Sequence, residues 1–205
     1  MIADLLSMWV RLATGVSARA VPGWDGRPCV FFANHSSHLD PLVIWAALPA
    51  EIRRRTSPVA ARDYWTKNAV RRWVSGKVFH AVLLDRIGRP KDRSHPLQAV
   101  FDVIESGRSI IIFPEGTRSP DARLKDFKAG LYHIRRRFPG CVMIPVSLHN
   151  LNRILPKGRL LPVPLIGKIT VHPPLEPVDD ESREEFLKRA RDAVASALPE
   201  DKCHE

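Results

Sequence analysis

Short runs that are hydrophobic on both faces alternate with helix-like stretches, and this alternation constrains the fold of the 205-residue chain most. Val30-Phe31-Phe32 and Ile110-Ile111-Ile112-Phe113 hold no polar position, which is typical of strands buried on both faces of a largely parallel sheet. The strand-like runs are Cys29–Ala33, Pro58–Ala61, Ala81–Leu84, Ser109–Phe113 and Val142–Ser147. Helix-like stretches lie at 40–48, 64–78, 94–106, 127–137 and 181–198. This order predicts an α/β fold.

We expect a single α/β domain with a mostly parallel mixed sheet flanked by helices. Residues 2–17 repeat apolar side chains at helical spacing, which predicts an N-terminal amphipathic helix. Prolines are frequent at 156–177 and indicate a meandering segment with short edge strands, because proline cannot donate to a strand ladder. The expected organisation has three parts: the amphipathic helix at 1–20, the main domain at 21–178, and a C-terminal helix and tail at 179–205 that pack on the same domain.

The distribution of charge points to an anionic partner. Lysine and arginine total 32 against 22 acidic residues, a formal charge of +10. Residues 1–178 carry 27 bases and 13 acids, net +14, whereas residues 179–205 carry net −4. Nucleic acid, an acidic membrane or a phosphorylated ligand would each suit such a surface. A basic surface that is merely solvated fits the charge equally well.

Cysteine usage and hydropathy indicate the compartment. The three cysteines are far apart and odd in number, so we expect neither a disulfide framework nor a cysteine zinc site, and a reducing compartment fits best. No run approaches the roughly 18 apolar residues that span a bilayer. Asp4 and Arg11 also interrupt the start of the chain where a signal peptide would be basic and then apolar. We therefore expect an intracellular, non-spanning protein.

Three strand-like runs end in polar clusters. Asn34–Asp40 follows the first run, Asp85-Arg86 follows the third and Pro114–Ser119 follows the fourth. Since ligands of open α/β sheets bind at the carboxyl ends of the strands, these clusters are expected to meet at one pocket.

Two roles are open for Asp40 at this stage. It could accept a proton from His35, five residues earlier, and so orient that histidine as a general base. It could instead cap the following helix, with Pro41 at the first helical position, which would leave His35 as a loop histidine. A metal site on His35, His38 and Asp40, or a nucleophilic serine in the same segment, has less support, because neither a further ligand cluster nor a G-x-S-x-G motif is present.

Two blocks, in order and correctly spaced, resemble the glycerolipid acyltransferases, specifically the 1-acylglycerol-3-phosphate O-acyltransferase family. The first block is Asn34-His35-x-x-x-x-Asp40, and Phe113-Pro114-Glu115-Gly116-Thr117-Arg118-Ser119 follows about 75 residues later. Weaker matches to other blocks of that family are Leu84-Asp85-Arg86, Phe127-Lys128-x-Gly130 and Ile144-Pro145-Val146. The resemblance covers residues 24–175, and the sequence departs from the family at Ser36, where glutamine is frequent.

The resemblance implies transfer of a fatty acyl group from acyl-CoA or acyl carrier protein to the free hydroxyl of 1-acylglycerol-3-phosphate. His35 would be the base and Asp40 its orienting partner. The acceptor phosphate would be bound by Glu115, Gly116, Thr117 and Arg118, with help from Arg86 and Lys128. No metal and no cofactor beyond the acyl donor is implied. The implied partners are the lysophospholipid acceptor, the acyl donor and an anionic membrane surface.

A lipid acceptor gives the N-terminal helix two possible uses. It could insert into the membrane interface from the cytoplasmic side, with Arg11, Arg19 and Arg53-Arg54-Arg55 near the headgroups. It could instead pack its apolar stripe on the protein's own sheet. Three other functions remain open: an acyltransferase with an acceptor such as lyso-ornithine lipid, a non-catalytic lipid-binding protein, and a nucleic-acid-binding module. Nucleic acid is not expected, because no recognition motif accompanies the charge.

Overall fold

The computed structural model describes residues 2–17, 19–62, 76, 80–84, 95–119, 123–149 and 167–199. They form the predicted α/β domain, with a mostly parallel mixed sheet flanked by helices. The helices are α1 Ile2–Thr14, α2 Asp40–Ala47, α3 Ala50–Arg54, α4 Gln98–Glu105, α5 Gly130–Arg137 and α6 Arg183–Ala195. The strands are β1 Cys29–Ala33, β2 Thr56–Ala61, β3 Val82–Leu84, β4 Ser109–Ile112, β5 Val142–His149 and β6 Lys168–Val171.

The sheet has the order β3-β2-β4-β1-β5-β6. Neighbouring strands are parallel except at the edge, where β6 runs antiparallel to β5. Strand β1 is therefore central, with Phe31 paired to Ile111 on β4 and to Ile144 on β5. This topology brings the carboxyl ends of β1 and β4 side by side, as the strand pattern predicted.

Strand β1 is apolar on both faces because each face packs into a separate hydrophobic core. Phe31 faces the core that the sheet shares with α1 and α2, where Val10 and Ile44 are buried. Phe32 faces the opposite core, which α4, α5 and α6 cover. Phe186 of α6 is fully buried in this second core. Adjacent strand residues point to opposite faces, so a strand covered on both sides has no position for a polar residue.

The predicted elements are found within a few residues of their expected bounds. The last helix begins at Arg183 rather than 181, because Ser182 and Glu185 form a reciprocal capping box. Strand β6 is an edge strand of the kind expected in the proline-rich segment. The five-residue α3 was missed, since a single turn carries too little periodicity to be read. The predicted helix at 64–78 lies outside the described residues except for residue 76.

Helix α1 packs on the sheet with a mixed face, on which Ala3, Leu6 and Val10 meet the core beside polar residues. Ser7 and Thr14 are buried, and Asp4 is bonded to Arg53 at 2.6 Å between Oδ1 and Nη2. The large apolar side chains of the helix that lie exposed are Leu5, Met8, Trp9 and Leu12, with Leu12 77% exposed and Trp9 59%. This group of four is called the α1 stripe below. Of the apolar residues predicted to form the stripe over 2–17, Leu6 and Val16 pack on the core, whereas Leu5, Trp9 and Leu12 do not.

Long-range polar contacts fix this orientation. Arg11 donates from Nε to the carbonyl of Ala46 at 2.6 Å and from Nη2 to that of Leu48 at 3.2 Å. These carbonyls lie at the end of α2, where the last turn of a helix leaves its acceptors without intrahelical donors. Buried Arg53 also donates to Leu48. Arg11 and Arg53 are therefore committed to internal contacts, and the expectation that they engage headgroups is wrong for both.

Candidate active site

The loops after β1 and β4 are joined directly. The backbone N–H of Ser119 donates to the carbonyl of His35 at 2.8 Å, across 84 residues of sequence. Asn34, buried at the end of β1, bonds the backbone of Leu148 on β5 in both directions, at 2.9 and 2.8 Å. The amide of Asn34 thus continues the pairing of β1 with β5 by one step and sets where the His35 loop leaves the sheet. Two of the three polar clusters meet as predicted, and Asp85-Arg86 lies outside the described residues.

His35 and Asp40 form the predicted pair. Nδ1 of His35 lies 2.8 Å from Oδ2 of Asp40, which is fully buried. The same Oδ2 accepts the backbone N–H groups of Ser36 at 2.7 Å and Ser37 at 2.8 Å. Asp40 is the first residue of α2 and Leu39 occupies the N-cap position without a side-chain cap, so the helix-cap role considered for Asp40 is wrong. Its carboxylate instead orients the histidine.

The contacts of His35 leave one ring nitrogen for chemistry. With Nδ1 directed at a carboxylate, the neutral ring carries its proton on Nδ1 and presents Nε2 as the basic nitrogen. The ring stacks on Phe113, with centroids 4.2 Å apart and planes 23° from parallel. His35 also lines a cavity. A histidine that is oriented, supported on one face and open to a cavity has the geometry of a general base.

Glu115 binds the backbone of the loop that carries His35 and is not among the residues that line the cavity. Its buried carboxylate accepts the backbone N–H of His35 at Oε1, 2.7 Å away, and that of Lys125 at Oε2, 3.3 Å away. Burial raises the pKa of this carboxyl to about 7, against the effect of the two N–H donors, which favour the charged form. The resemblance assigned Glu115 to the acceptor-phosphate site, whereas both its oxygens are directed at the backbone. We infer that it positions His35.

Glu115→Gln is expected to change how stability depends on pH. Between pH 4.5 and 7 the folded protein keeps a proton on Glu115 that the unfolded chain has released, so stability falls as pH rises. Such a shift corresponds to about 3 kcal/mol. We expect the unfolding free energy of the wild type minus that of the variant to fall by about this amount across the window. Urea unfolding at a series of pH values measures it, and a constant difference would contradict the assignment.

The backbone turns at Gly116, next to the side chain of Lys128. Gly116 has a φ of +72°, a backbone conformation that favours glycine, and a Cβ there would lie 2.8 Å from Nζ of Lys128, which would have to move. Arg118 and Lys128 line the cavity together with His35. Thr117 is exposed and is not among the residues that line the cavity. Of the predicted phosphate-binding side chains, Arg118 and Lys128 are therefore the two that the structure brings to the cavity.

His38 was undervalued by sequence reasoning. Its Nε2 contacts Nη1 of Arg118, and its ring lines the cavity. The signal was its place three residues after His35, which also made it a candidate metal ligand. Within the described ranges, no three histidine, cysteine or acidic side chains are grouped to hold a metal ion. His38 instead helps to position Arg118 at the cavity.

The cavity beside His35 has a volume of about 690 Å³. One group of its lining residues is apolar and comes mainly from β2, β3, β4 and the start of α5: Val59, Ala60, Ala61, Leu84, Ile112 and Leu131. A second group is basic: His35, His38, His95, His133, Arg118 and Lys128. Among the described residues, no aspartate or glutamate lines it. A space with apolar walls and a positive potential suits a ligand that is both hydrophobic and anionic.

Comparison with known proteins gives consistent matches. The family model for acyltransferases matches residues 15–149. The chain is 29% identical over 183 residues to a 1-acyl-sn-glycerol-3-phosphate acyltransferase of Chlamydomonas reinhardtii, covering 84% of this chain and 49% of the relative. It is 28% identical over 181 residues to the enzyme of that name from Limnanthes douglasii, covering 83% of this chain and 59% of the relative. The chain thus spans about half the length of these relatives.

A solved structure shares the fold. The crystal structure of the 1-acyl-sn-glycerophosphate acyltransferase PlsC from Thermotoga maritima superposes with a TM-score of 0.76. The superposition covers 100% of this chain and 81% of that one, at 23% sequence identity. At this identity the likeness concerns the fold alone.

Proposed function

Since this chain belongs to the acyltransferase family, we propose that it transfers a fatty acyl group from acyl-CoA or acyl carrier protein to the free hydroxyl of 1-acylglycerol-3-phosphate, giving phosphatidic acid. The observation that carries the proposal is the His35–Asp40 pair, joined at 2.8 Å beside an apolar cavity that also holds Arg118 and Lys128. The names of the relatives agree with this substrate class. No other function considered needs an oriented base and a phosphate-binding cation in one cavity.

In the proposed reaction, His35 acts as the general base. Nε2 takes the proton of the glycerol hydroxyl as that oxygen attacks the thioester carbonyl, and Asp40 stabilises the imidazolium. The tetrahedral intermediate collapses by breaking the carbon–sulfur bond. The thiolate leaves readily because an ordinary thiol has a pKa of about 8.5, and it recovers the proton from His35. The base is thereby regenerated, and no covalent enzyme intermediate forms.

The remaining cavity groups divide between the two parts of the acceptor. A guanidinium offers a fork of donors that matches a phosphate, so Arg118, with Lys128 beside it, would bind the acceptor phosphate. The apolar walls would take an acyl chain, whose burial is worth about 0.8 kcal/mol per methylene. Binding at both ends would hold the free hydroxyl near Nε2 of His35.

Arg118→Ala is expected to raise the KM for lysophosphatidic acid by roughly 10–100-fold, because a hydrogen bond to a charged group contributes about 1.5–3 kcal/mol. With monoacylglycerol, which lacks the phosphate, wild type and variant should have similar kcat/KM. Steady-state assays with both acceptors on the same vesicles measure the difference. An equal loss with the two acceptors would show that Arg118 does not recognise phosphate.

The test of the proposed function is acyl transfer from radiolabelled acyl-CoA to lysophosphatidic acid on vesicles. We expect labelled phosphatidic acid from the wild-type protein. If acyl-CoA gives no product, acyl carrier protein replaces it as donor and lyso-ornithine lipid replaces the acceptor. Product with lyso-ornithine lipid alone would show that this lipid is the acceptor. The absence of product with every pair of donor and acceptor would refute acyl transfer.

We further propose that the protein acts as a peripheral protein at an anionic, cytoplasmic membrane face. No helix among the described residues is long and apolar enough to cross a bilayer. The α1 stripe is nevertheless exposed, and internal contacts of Arg11 and Arg53 hold it outward. Arg19 and Arg54 are exposed, and Arg54 also pairs with Asp4 at 3.6 Å between Nη2 and Oδ2. An outward apolar stripe with exposed arginines on a chain of net charge +10 suits insertion into an acidic interface.

The triple variant Leu5→Gln/Trp9→Gln/Leu12→Gln is expected to lower binding to anionic vesicles at least tenfold, since it removes three apolar side chains that would enter the interface. Val178→Gln is the matched control, because Val178 is an exposed apolar side chain outside α1. Cosedimentation with vesicles measures binding, and thermal unfolding checks that both variants fold. Unchanged binding of the triple variant would place the membrane contact elsewhere.

A further inference from the structure

His95 and His133 line the same cavity as His35, and the proposed reaction uses neither of them. Their ring centroids lie 6.1 Å apart in an edge-to-face arrangement. His95 is also stacked on Phe101, with centroids 5.0 Å apart and planes 26° from parallel. Both histidines are exposed. The two histidines therefore form a pair at the cavity surface, where a ligand in the cavity can contact them.

The hydrogen bonding of His95 gives the pair a donor. Nδ1 of His95 accepts the backbone N–H of Leu97 at 3.1 Å, so the neutral ring carries its proton on Nε2. Nε2 is consequently a donor in both the neutral and the charged ring. A phosphate oxygen is an acceptor that such a donor suits.

Two helix ends add positive potential beside the pair. His95 lies just before α4, and His133 lies in the first turn of α5. Both helices begin without a side-chain cap, and a Cβ at Gly130 would lie 3.6 Å from Leu97, so the two ends touch. The N-terminal end of a helix carries a partial positive charge. The histidine pair and the two helix ends thus favour an anion at the same place.

The cavity offers donors beyond those that the acceptor phosphate would use. Arg118 and Lys128 already provide two cations for that group, and among the described residues no acidic side chain lines the cavity. The Nε2 donor of His95 and the two helix ends can therefore meet a second anionic group. In the proposed reaction, the other phosphorylated reactant is the acyl donor. Its pantetheine arm ends in a phosphate both in CoA and in a carrier protein.

We propose that His95 and His133 bind the phosphate of the acyl donor's pantetheine arm, at a subsite distinct from the one that Arg118 and Lys128 provide for the acceptor. This inference rests on the proposed acyl transfer. It makes the cavity a two-anion site, in which donor and acceptor bind through separate basic side chains.

The first arm of the test is equilibrium binding by calorimetry to the full chain, with CoA, phosphopantetheine and pantetheine as probes. The double variant His95→Ala/His133→Ala should bind CoA at least tenfold more weakly than the wild type, because the hydrogen bonds of two imidazoles to a charged group are lost. Pantetheine, which has no phosphate, should bind both proteins alike. Arg136→Gln is the matched control, since it removes a cation from α5 outside the cavity. Equal CoA affinity for wild type and double variant would overturn the proposal.

The phosphopantetheine result identifies the source of the phosphate. Weaker binding of phosphopantetheine as well as CoA supports a site for the group that CoA and carrier protein share. Weaker binding of CoA alone supports a site for the phosphates of its nucleotide.

The second arm measures steady-state kinetics and separates this inference from the proposed function. The double variant should show at least a tenfold higher KM for acyl-CoA, with kcat and the KM for lysophosphatidic acid unchanged. A rise confined to the KM for lysophosphatidic acid would assign the histidines to the acceptor and overturn the proposal. If CoA binding depends on the two histidines but the protein forms no lipid product, the proposed donor site stands and the proposed acceptor is refuted. Product formation with CoA affinity unaffected would refute the donor site alone.

Discussion

His35→Ala is expected to lower kcat by about 10²–10⁴-fold, the contribution typical of a positioned general base. Three contacts hold His35 in place. Asp40 orients its ring through Nδ1, Phe113 supports one face, and Glu115 holds its backbone N–H. None of these contacts would be needed by a loop histidine that merely filled space. The loss should appear in kcat, because His35 acts on the hydroxyl proton and binds neither the phosphate nor the acyl chain.

Two controls make the result specific. The variant should keep the wild-type affinity for CoA, measured by calorimetry, which shows that the cavity is intact. Added imidazole should restore part of the activity of His35→Ala, since it can enter the space left by the ring, and should not restore that of Arg118→Ala. Turnover near the wild-type value in the variant, without imidazole, would remove His35 from the reaction.

The sheet and the meeting of the two loops could be predicted because they depend on local patterns. Runs such as Val30-Phe31-Phe32 and Ile110–Phe113 are apolar at every position, which is typical of strands covered on both faces. Parallel strands bring their carboxyl ends to one edge, so the polar residues after β1 and β4 had to be near each other. The His35–Asp40 contact spans five residues and is local for the same reason.

The orientation of α1 could not be predicted from its periodicity. Ala3, Leu6 and Val10 face the core, whereas the contacts of Arg11 with α2 and of Asp4 with Arg53 leave the α1 stripe facing outward. These contacts join residues 35 and 49 positions apart, and no pattern within the helix encodes them. The choice depends on which acceptors the end of α2 offers, and that is decided by tertiary packing.

The role of Glu115 was hidden for a similar reason. The sequence places it beside Arg118, so a shared phosphate site was a natural expectation. The partner of its Oε1 is the backbone N–H of His35, 80 residues earlier. A backbone donor leaves no mark in the sequence, and neither does the burial that separates Glu115 from the cavity.

Asp40→Asn is expected to lower kcat by roughly 10²–10³-fold while the orientation of His35 is kept. The variant removes the carboxylate charge that stabilises the imidazolium formed when His35 takes the hydroxyl proton. Oδ2 of Asp40 also accepts the N–H groups of Ser36 and Ser37, so the asparagine oxygen must occupy the same place. It can still accept from Nδ1 of His35. The loss is therefore one of charge and not of geometry.

The same substitution has a cost in stability that can be measured separately. Oδ1 of Asp40 is buried and has no hydrogen-bond partner among the described residues, so the asparagine NH₂ group placed there would lack an acceptor. A buried unsatisfied donor costs about 1–3 kcal/mol, which urea unfolding should show. Nitrogen NMR of the His35 ring distinguishes loss of charge from loss of orientation. If only the charge is lost, Nδ1 should remain protonated in the variant. A switch of the proton to Nε2, or a kcat near that of the wild type, would contradict the view that the charge of Asp40 acts through His35.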